Sequence, residues 1–297
     1  MSEHPPGLPS GAPTGIRPTG MDSPGMGPSG MESTEIARGH LRDPRDRSFA
    51  MYRYEPALSC RHWLRLYWIP VWTVPEGEVR EQRILSYPVC LLSITASYAR
   101  LVGPCTAAAR TQLSGSGWAF GAMLMPAAGR ALLQADVGQL VDAHRDLADV
   151  PLLAGLVQEI RGIMAAAPSS PSAHRAAAAV LERGFSVLGI PSRDALAANR
   201  LVARVEEDRA ITTVRALAGA AGMNERTLQR LCARHLGVSP RWIIRQRRLQ
   251  EAAAQLRAGG PLSGLAAELG YADQAHFSRD FRAATGWTPG TFASLVR

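Results

Sequence analysis

The chain has 297 residues, enough for two domains with separate hydrophobic cores. Its 33 basic side chains outnumber 25 acidic ones, for a net charge of +8, and all the basic ones are arginines because the sequence contains no lysine. Residues 204–297 hold 14 of these arginines against 8 acidic residues. Basic charge concentrated in one domain favours a polyanionic partner, because neutralised phosphates supply most of the non-specific affinity for nucleic acids.

The four cysteines, Cys60, Cys90, Cys105 and Cys232, are scattered along the chain and form no CxxC pair. A disulfide framework or a zinc cluster would have tighter spacing, so we expect reduced thiols, no metal and no cofactor. No apolar run approaches the ~20 residues of a membrane-spanning helix, and no signal peptide opens the sequence. We therefore expect a cytoplasmic protein that does not associate with a membrane.

The first segment, residues 1–48, is rich in Pro, Gly, Ser and charge and has few aliphatic residues. It cannot bury enough apolar area to offset the entropy lost on ordering, so we predict a disordered tail. Residues 49–150 differ, because β-branched, aromatic and aliphatic runs at 62–69 and 89–94 alternate with prolines and glycines. Together with a run at 118–125, they predict a small antiparallel β domain, either a barrel or a sandwich.

The pattern becomes helical from Pro126 to Ala167. One helix face is predicted by the apolar residues Leu152, Leu153, Leu156, Val157, Ile160 and Ile163. We predict a helical connector over 151–197 with a linker near 168–172, where Pro and Ser cluster. Residues 198–297 are expected to form an all-α domain, which makes the fold class α+β.

The last third of the chain contains one pattern twice. Residues 217–222 (LAGAAG) recur 48 residues later as 265–270 (LAAELG), and the offset becomes 49 after the turn. Each copy predicts a helix, a glycine turn and a second helix with a polar cap, Asn224 in the first copy and Asp273 in the second. Two helix-turn-helix units, each with an arginine on its second helix, are typical of proteins that contact two successive major-groove segments of DNA.

The second helix of each unit has a buried face and an outward face. The predicted core residues are Leu228, Leu231 and Cys232 in the first unit and Phe277 and Phe281 in the second. The outward residues are Glu225, Arg226, Gln229, Arg230 and Ala233 in the first unit, and Gln274, Ala275, Ser278, Arg279 and Arg282, flanked by His276, in the second. Arginine suits guanine and glutamine suits adenine in the major groove. A solvated helix face explains a single unit equally well, but it explains two aligned units poorly.

Between the units, Ser239 to Ala258 predicts one continuous helix that begins at a Ser-Pro cap. A helix of roughly 18 residues would separate the units by about 27 Å, near the ~34 Å of one DNA turn. The candidate phosphate contacts are Arg241, Arg245, Arg247 and Arg248 on this helix and Arg282 beyond it. For at least half of the arginines on this helix, a solvated surface is an equally good interpretation.

Residues 198–297 resemble the DNA-binding domain of the AraC/XylS family of bacterial transcription regulators. The matching motifs are 226–231 (RTLQRL), 237–240 (GVSP), 265–282 (LAAELGYADQAHFSRDFR) and 286–289 (GWTP). One departure is Cys232, where the family usually has a large apolar residue. The resemblance implies that bases are contacted by Asn224, Arg226, Gln229 and Arg230, and by Gln274, Ala275, His276 and Arg279.

Residues 101–129 resemble a little-characterised β domain that precedes this module in many actinobacterial regulators, which implies a sensing or dimerising role. We therefore expect double-stranded DNA and RNA polymerase as partners and a small-molecule effector at the N-terminal domain, whereas the sequence leaves open whether the chain is a monomer or a homodimer. The tryptophans Trp63, Trp68 and Trp72 fit strand core, or else the lining of an apolar ligand pocket.

The sequence favours a sequence-specific, non-enzymatic transcription regulator, and two alternatives stay open. The first is a ligand- or partner-binding protein whose repeat has lost its affinity for DNA. The second is a DNA-repair methyl acceptor, because such proteins can carry this module beside a zinc-held reactive cysteine. That chemistry needs several cysteines around one metal and a thiolate with a lowered pKa, whereas Cys60, Cys90 and Cys105 are widely spaced.

Overall fold

The structure is a computed structural model that describes residues 48–107 and 109–296. The tail predicted for 1–48 lies outside the described residues except for Ser48, so its disorder stays a prediction. Among the described residues, no helix is long and apolar enough to cross a membrane.

The first half of the described chain is built on antiparallel strands, as predicted. The strands are β1 (Phe49–Tyr54), β2 (Leu64–Thr73), β3 (Arg80–Ile84), β4 (Leu91–Thr95), β5 (Ala99–Val102), β6 (Ala109–Leu113), β7 (Ser116–Leu124) and β8 (His144–Asp146). Six of them form one sheet in the order β1-β2-β7-β4-β5-β8, and β3 pairs with β6 in a separate ribbon. The run at 118–125 is the buried strand β7 that the sequence predicted.

The tryptophans of β2 lie against glycines of its neighbour β7. A Cβ at Gly121 would come within 2.1 Å of the Trp68 ring, and one at Gly117 within 2.4 Å of the Trp72 ring. Only glycine leaves room for an indole at these points of the ladder. Trp63 is buried and donates from its ring nitrogen to the carbonyl of Gly189 at 3.0 Å. The three tryptophans therefore belong to the packing of the sheet.

The prediction of helix throughout 126–167 is wrong in its middle. Helix α1 (Pro126–Leu133) is followed by a 3₁₀ turn (Val137–Leu140), and His144–Asp146 then pairs with the edge strand β5. An edge strand presents backbone groups that need partners, and this tertiary pairing outweighs the local helical pattern.

The apolar face predicted over 152–163 is divided between two helices. These are α2 (Pro151–Ala154) and α3 (Val157–Ala166), which are separated at Gly155. Their residues Leu153, Val157 and Ile160 are nevertheless buried in the same core as the sheet. The pattern identified the buried side chains correctly, but it did not show the break in the backbone.

Two further helices lead into the last third of the chain. A turn over 167–170 precedes α4 (Pro171–Ser186), and α5 (Arg193–Glu207) follows. Helix α5 runs through the domain boundary expected at 197/198: Ala195 packs with the N-terminal core, whereas Ala198 and Leu201 pack with the first helix-turn-helix unit. A continuous helix therefore joins the two parts of the chain.

The last third is all helical, as predicted. Its helices are α6 (Val214–Ala220), α7 (Glu225–His235), α8 (Pro240–Arg257), α9 (Leu265–Glu268), α10 (Gln274–Thr285) and α11 (Pro289–Leu295). Helix α8 belongs to both units, because Ile243 and Ile244 pack in the core of the first unit and Leu249 and Leu256 in the core of the second. The α+β fold class with two helix-turn-helix units joined by a long helix is confirmed.

Candidate nucleic-acid interface

The first helix-turn-helix unit contains α6 and α7. Thr213 caps α6 by accepting a hydrogen bond from Ala216 N at 3.1 Å. The turn uses Gly222 at φ +64°, a left-handed conformation that costs glycine little and other residues more. Asn224 then caps α7, because its side-chain oxygen accepts a hydrogen bond from Thr227 N at 2.8 Å. The predicted turn and cap are both confirmed.

The side chains of α7 that the family resemblance assigns to base contacts are exposed. Arg226, Gln229 and Arg230 lie on the solvent face, whereas Leu228 on the opposite face is completely buried. Asn224 is exposed as well, and its cap occupies the oxygen but leaves the amide nitrogen free to donate. In the described part of the chain, no carboxylate pairs with Arg226 or Arg230. These guanidinium groups are therefore available to an external partner.

The first helix of the second unit, α9, starts after Gly264, which stands at φ +81°. Leu262 packs on the core of this unit, so its apolar character reflects burial outside a helix. The turn follows at Gly270 with φ +74°, and Asp273 caps α10 by accepting from His276 N at 2.7 Å. The cap predicted from the 49-residue offset is confirmed.

The outward face of α10 is more crowded than that of α7. Gln274, Ala275 and Arg279 are exposed. His276 is only 44% exposed, because its ring packs edge-on against Tyr271 at 5.2 Å and its Nε2 lies 3.8 Å from an oxygen of Asp280. Ala275 offers a methyl group and no hydrogen bond. The second face therefore offers fewer polar groups than the first and holds one of them between neighbours.

Two of the predicted phosphate contacts, Arg241 and Arg282, are exposed. Arg247, also a candidate from the sequence, is buried and pairs with Glu251 at 3.1 Å. It also donates to the carbonyl of Ile211 at 3.0 Å. The expectation for Arg247 is wrong. This side chain is buried and joins the segment before α6 to α8, so it does not face solvent, where a phosphate would bind.

The other two predicted phosphate contacts, Arg245 and Arg248, are half-buried and attach α8 to the second unit. Arg245 Nε lies 3.0 Å from Asp280 Oδ2, and the guanidinium of Arg248 stacks 3.7 Å from the centre of the Tyr271 ring. Sequence reasoning missed Asp280 and Tyr271 as the partners of these arginines. The available signal was the spacing of Arg245 and Arg248, which places both on one face of α8.

The N-terminal part contacts α5 through two polar connections. Arg65 of β2 binds Glu206 with two hydrogen bonds of 2.7 and 2.8 Å. Asn199 is buried, accepts from Ala127 N at 2.8 Å and donates to the carbonyl of His62 at 2.9 Å. One amide thus satisfies two backbone groups of the sheet domain, so the junction is fixed by directional bonds as well as by packing.

The second helix-turn-helix unit is contacted by the segment around the β3–β6 ribbon. Leu85 is fully buried in the core of that unit, and Gln250 donates to the carbonyl of Ser86 at 2.9 Å. The guanidinium of Arg83 lies 4.1 Å from the centre of the Trp287 ring. These contacts leave the residues of the two outward faces uncovered, since the assigned side chains are exposed or half-exposed in the whole chain.

The cysteines do not have the environment of reactive thiols. Burial raises the pKa of Cys90 and of Cys232 to about 12, and it also raises the pKa of Cys60 and Cys105. A thiolate nucleophile needs the opposite shift. Among the described residues, no group of three or more His, Cys, Asp or Glu is arranged to hold a metal ion. The chemistry of a methyl acceptor has no support at these positions.

Three solved structures resemble parts of this chain. The C-terminal domain of AraT, a response regulator from Geobacillus stearothermophilus, is 24% identical over 35% of this chain and 88% of its own, with a TM-score of 0.32. ToxT from Vibrio cholerae O395 is 14% identical over 84% of this chain and 99% of its own, with a TM-score of 0.37. ToxT of strain SCE256 with bound unsaturated fatty acid is 15% identical over 84% and 96%, with a TM-score of 0.35.

All three TM-scores lie below 0.5, which is too low to transfer a function to this chain. No curated protein gives a significant match. Two family models do match: a helix-turn-helix domain over residues 217–294, and a domain of unknown function, DUF6597, over residues 52–146. The first family points to DNA-binding transcription regulators, which are generally not enzymes. The resemblance drawn from the sequence is confirmed: this chain carries an AraC-type helix-turn-helix domain behind a DUF6597 domain.

Proposed function

We propose that this chain is a sequence-specific transcription regulator that places α7 and α10 in two successive major-groove segments of one duplex. The observation that carries the proposal is the pair of exposed, capped helices at the two ends of α8. Each presents arginine and glutamine from its first turns, where side chains of a recognition helix reach base edges.

The connecting helix supports this arrangement. Helix α8 has 18 residues and contributes buried side chains to both cores, so it resists bending between the units. Its length of about 27 Å approaches the ~34 Å repeat of B-DNA. The exposed Arg241 near one end of α8 and Arg282 on α10 are suited to phosphates.

We further propose that one protomer recognises an asymmetric site. The two faces carry different residues: Asn224, Arg226, Gln229 and Arg230 on the first unit, and Gln274, Ala275, His276 and Arg279 on the second. A palindromic site would need the same side chains twice, as a symmetric dimer supplies them. One chain of this kind has two different sets, so a dimer is not needed for specificity.

Selection of the full-length chain against random duplexes, followed by footprinting, tests the proposal. We expect an enriched asymmetric sequence and protection of about two turns of DNA on one face. Affinity should fall at least roughly tenfold between 50 and 200 mM salt, because phosphate contacts release counterions. If no sequence is enriched even at low salt, the chain is a ligand- or partner-binding protein with a degenerate module. Enrichment of a strictly palindromic sequence would contradict the proposal that a single protomer recognises the site.

A further inference from the structure

A polar groove of about 700 Å³ lies at the β5–β8 edge of the N-terminal sheet. Strands β5 and β8 form one side of it, and α3 and the 3₁₀ turn Val137–Leu140 form the others. None of its lining residues belongs to the helix-turn-helix domain. The tryptophans of β2, which pack within the sheet, do not line this groove.

Three half-buried arginines line this groove: Arg100 on β5, Arg145 on β8 and Arg161 on α3. Arg161 is oriented by its Nε, which donates to the carbonyl of Thr95 at 2.9 Å. Arg100 stacks over the ring of Tyr98, with 4.6 Å between the guanidinium carbon and the ring centre. The structure therefore positions two of the three guanidinium groups through neutral partners.

None of these three arginines forms an ion pair with another described residue. The groove does contain two carboxylates, Asp146 and Asp149. Asp146 is used locally, since it accepts a hydrogen bond from Ala148 N at 2.8 Å. The three guanidinium groups outnumber the two carboxylates, which leaves an excess of one positive charge (3 − 2 = +1), and a carboxylate or phosphate can accept hydrogen bonds from their forked donors.

The groove is connected to the first helix-turn-helix unit by the 3₁₀ turn. Gln139 and Leu140 of this turn line the groove. The same turn packs against the junction of α7 and α8, where a Cβ at Gly237 would lie 3.0 Å from the carbonyl oxygen of Val137 and 3.1 Å from Gly138 N. Because Gly237 has no side chain, the junction packs closely on the turn and on Val141, whose Cγ2 would lie 2.7 Å from that Cβ, so a displacement of the turn is passed to the junction.

We propose that this groove binds a small molecule bearing a carboxylate or phosphate group, and that its occupancy changes the DNA affinity of the first unit through the 3₁₀ turn. The second half of this proposal rests on the proposed DNA-binding function. The first half does not, because anion binding is measured without DNA. The ligand class follows from the three guanidinium groups, which form no ion pair with the residues that the structure describes, and the route follows from the position of the turn between the groove and α7.

Isothermal titration calorimetry on the full chain tests the binding site. Inorganic phosphate, citrate and glutamate serve as probes at fixed ionic strength. We expect saturable binding at one site for at least one probe, and at least tenfold weaker binding in Arg145→Gln and Arg161→Gln, which each lose a charge-assisted hydrogen bond. The matched control is Arg175→Gln, which removes an exposed arginine of α4 outside the groove and should bind like the parent chain.

Two results would overturn the binding site. One is the absence of saturable binding for every probe. The other is equal weakening in all three variants, which would indicate general attraction of anions to a basic protein. Thermal unfolding of each variant shows whether it folds. Arg145→Gln is the safer substitution, because Arg161 also donates a hydrogen bond to the carbonyl of Thr95 within the fold.

The coupling is tested by measuring DNA affinity with and without the bound probe. We expect a change of about fivefold or more, a usual size for allosteric coupling. Base substitutions in the half-site of α7 should alter the size of this change, whereas substitutions in the half-site of α10 should not. An unchanged DNA affinity at a saturating probe concentration would overturn the coupling. Loss of the effect in Arg145→Gln, with DNA affinity retained, would support it.

Discussion

The two helix-turn-helix units share a plan but are held together by different interactions. The first unit has a mainly aliphatic core, including Leu228, Ile243 and Ile244. The second has an aromatic core in which Phe277 contacts the rings of both Tyr271 and Phe281. Aromatic rings supply more buried area per residue, which compensates for a first helix, α9, of only four residues against seven in α6. The two units thus form the same helix-turn-helix arrangement from helices of different length and cores of different composition.

The two units also differ in how α8 and the N-terminal part fix them. The first unit is held to α8 by the buried side chain of Arg247, and Gly237 packs closely against the 3₁₀ turn of the N-terminal part. The second relies on side chains: Arg248 on Tyr271, Arg245 on Asp280, and Arg83 on Trp287. At Gly237 the junction has no side chain of its own to absorb a displacement of the turn, whereas the arginines that hold the second unit have several rotamers. The comparison suggests that the first unit responds to the N-terminal domain more directly than the second.

The largest expected effect is the loss of stability when a buried side chain is removed from the core of either unit. Phe277→Ala should lower the free energy of unfolding by about 3–5 kcal/mol, because it removes a fully buried ring and leaves a cavity among aromatic neighbours. Leu228→Ala in the first unit is the matched truncation and should cost about 2–5 kcal/mol. Urea denaturation monitored by far-UV circular dichroism measures both. A loss below about 1 kcal/mol for Phe277→Ala would show that the second core collapses around the void.

A smaller effect is expected at the outward faces. Arg230→Ala and Arg279→Ala should each weaken DNA binding by about 1–3 kcal/mol and relax specificity at one base position, because each removes a potential contact to a guanine edge. Competition assays on a library of single-base variants of the selected site would locate both positions. They should lie in different half-sites.

Arg175→Ala is the control for these two substitutions, since this exposed arginine lies on α4, outside the helix-turn-helix domain. Its DNA affinity should match that of the parent chain. If Arg230→Ala and Arg279→Ala change specificity at the same base pair, the two units do not occupy separate groove segments.

The smallest effect concerns the caps. Asp273→Ala should destabilise the chain by about 0.5–2 kcal/mol, because the N-terminus of α10 loses the acceptor for His276 N. Asn224→Ala should cost a similar amount of stability, but it should also lower DNA affinity because Asn224 is a proposed base contact. Thermal unfolding and DNA titration of both variants compare the two roles. Equal loss of DNA affinity beyond the loss of stability would assign a DNA contact to Asp273 as well.

The sequence predicted the helix-turn-helix domain well because its signals are local. Glycines at left-handed turns, Asn or Asp caps and the Ser-Pro start of α8 each act within a few residues. The aligned repeat also identified the extra residue before Asp273, which is Ala272, because Tyr271 N donates to the carbonyl of Ala266 just as Met223 N donates to that of Ala218. All these features depend on short-range geometry, and a single sequence contains that information.

The errors arose where distant contacts decide the structure. Strand β8 formed inside a helical pattern because the edge of β5 was unpaired, and the buried Arg247 resembled its exposed neighbours in sequence. The groove arginines come from three separate elements between Arg100 and Arg161, so no motif joins them. Burial and pairing over such separations follow from the tertiary fold, which periodicity does not encode.

The unbroken helix α8 also determines how binding sites for this chain can vary. With both ends of α8 packed into a core, the two recognition helices keep a fixed rotation as well as a fixed separation. Inserting one base pair between the half-sites turns the second by about 34° around the duplex axis. A flexible linker would absorb that change of phase, but a packed helix does not. The spacing between half-sites should therefore be as strictly maintained as the bases themselves.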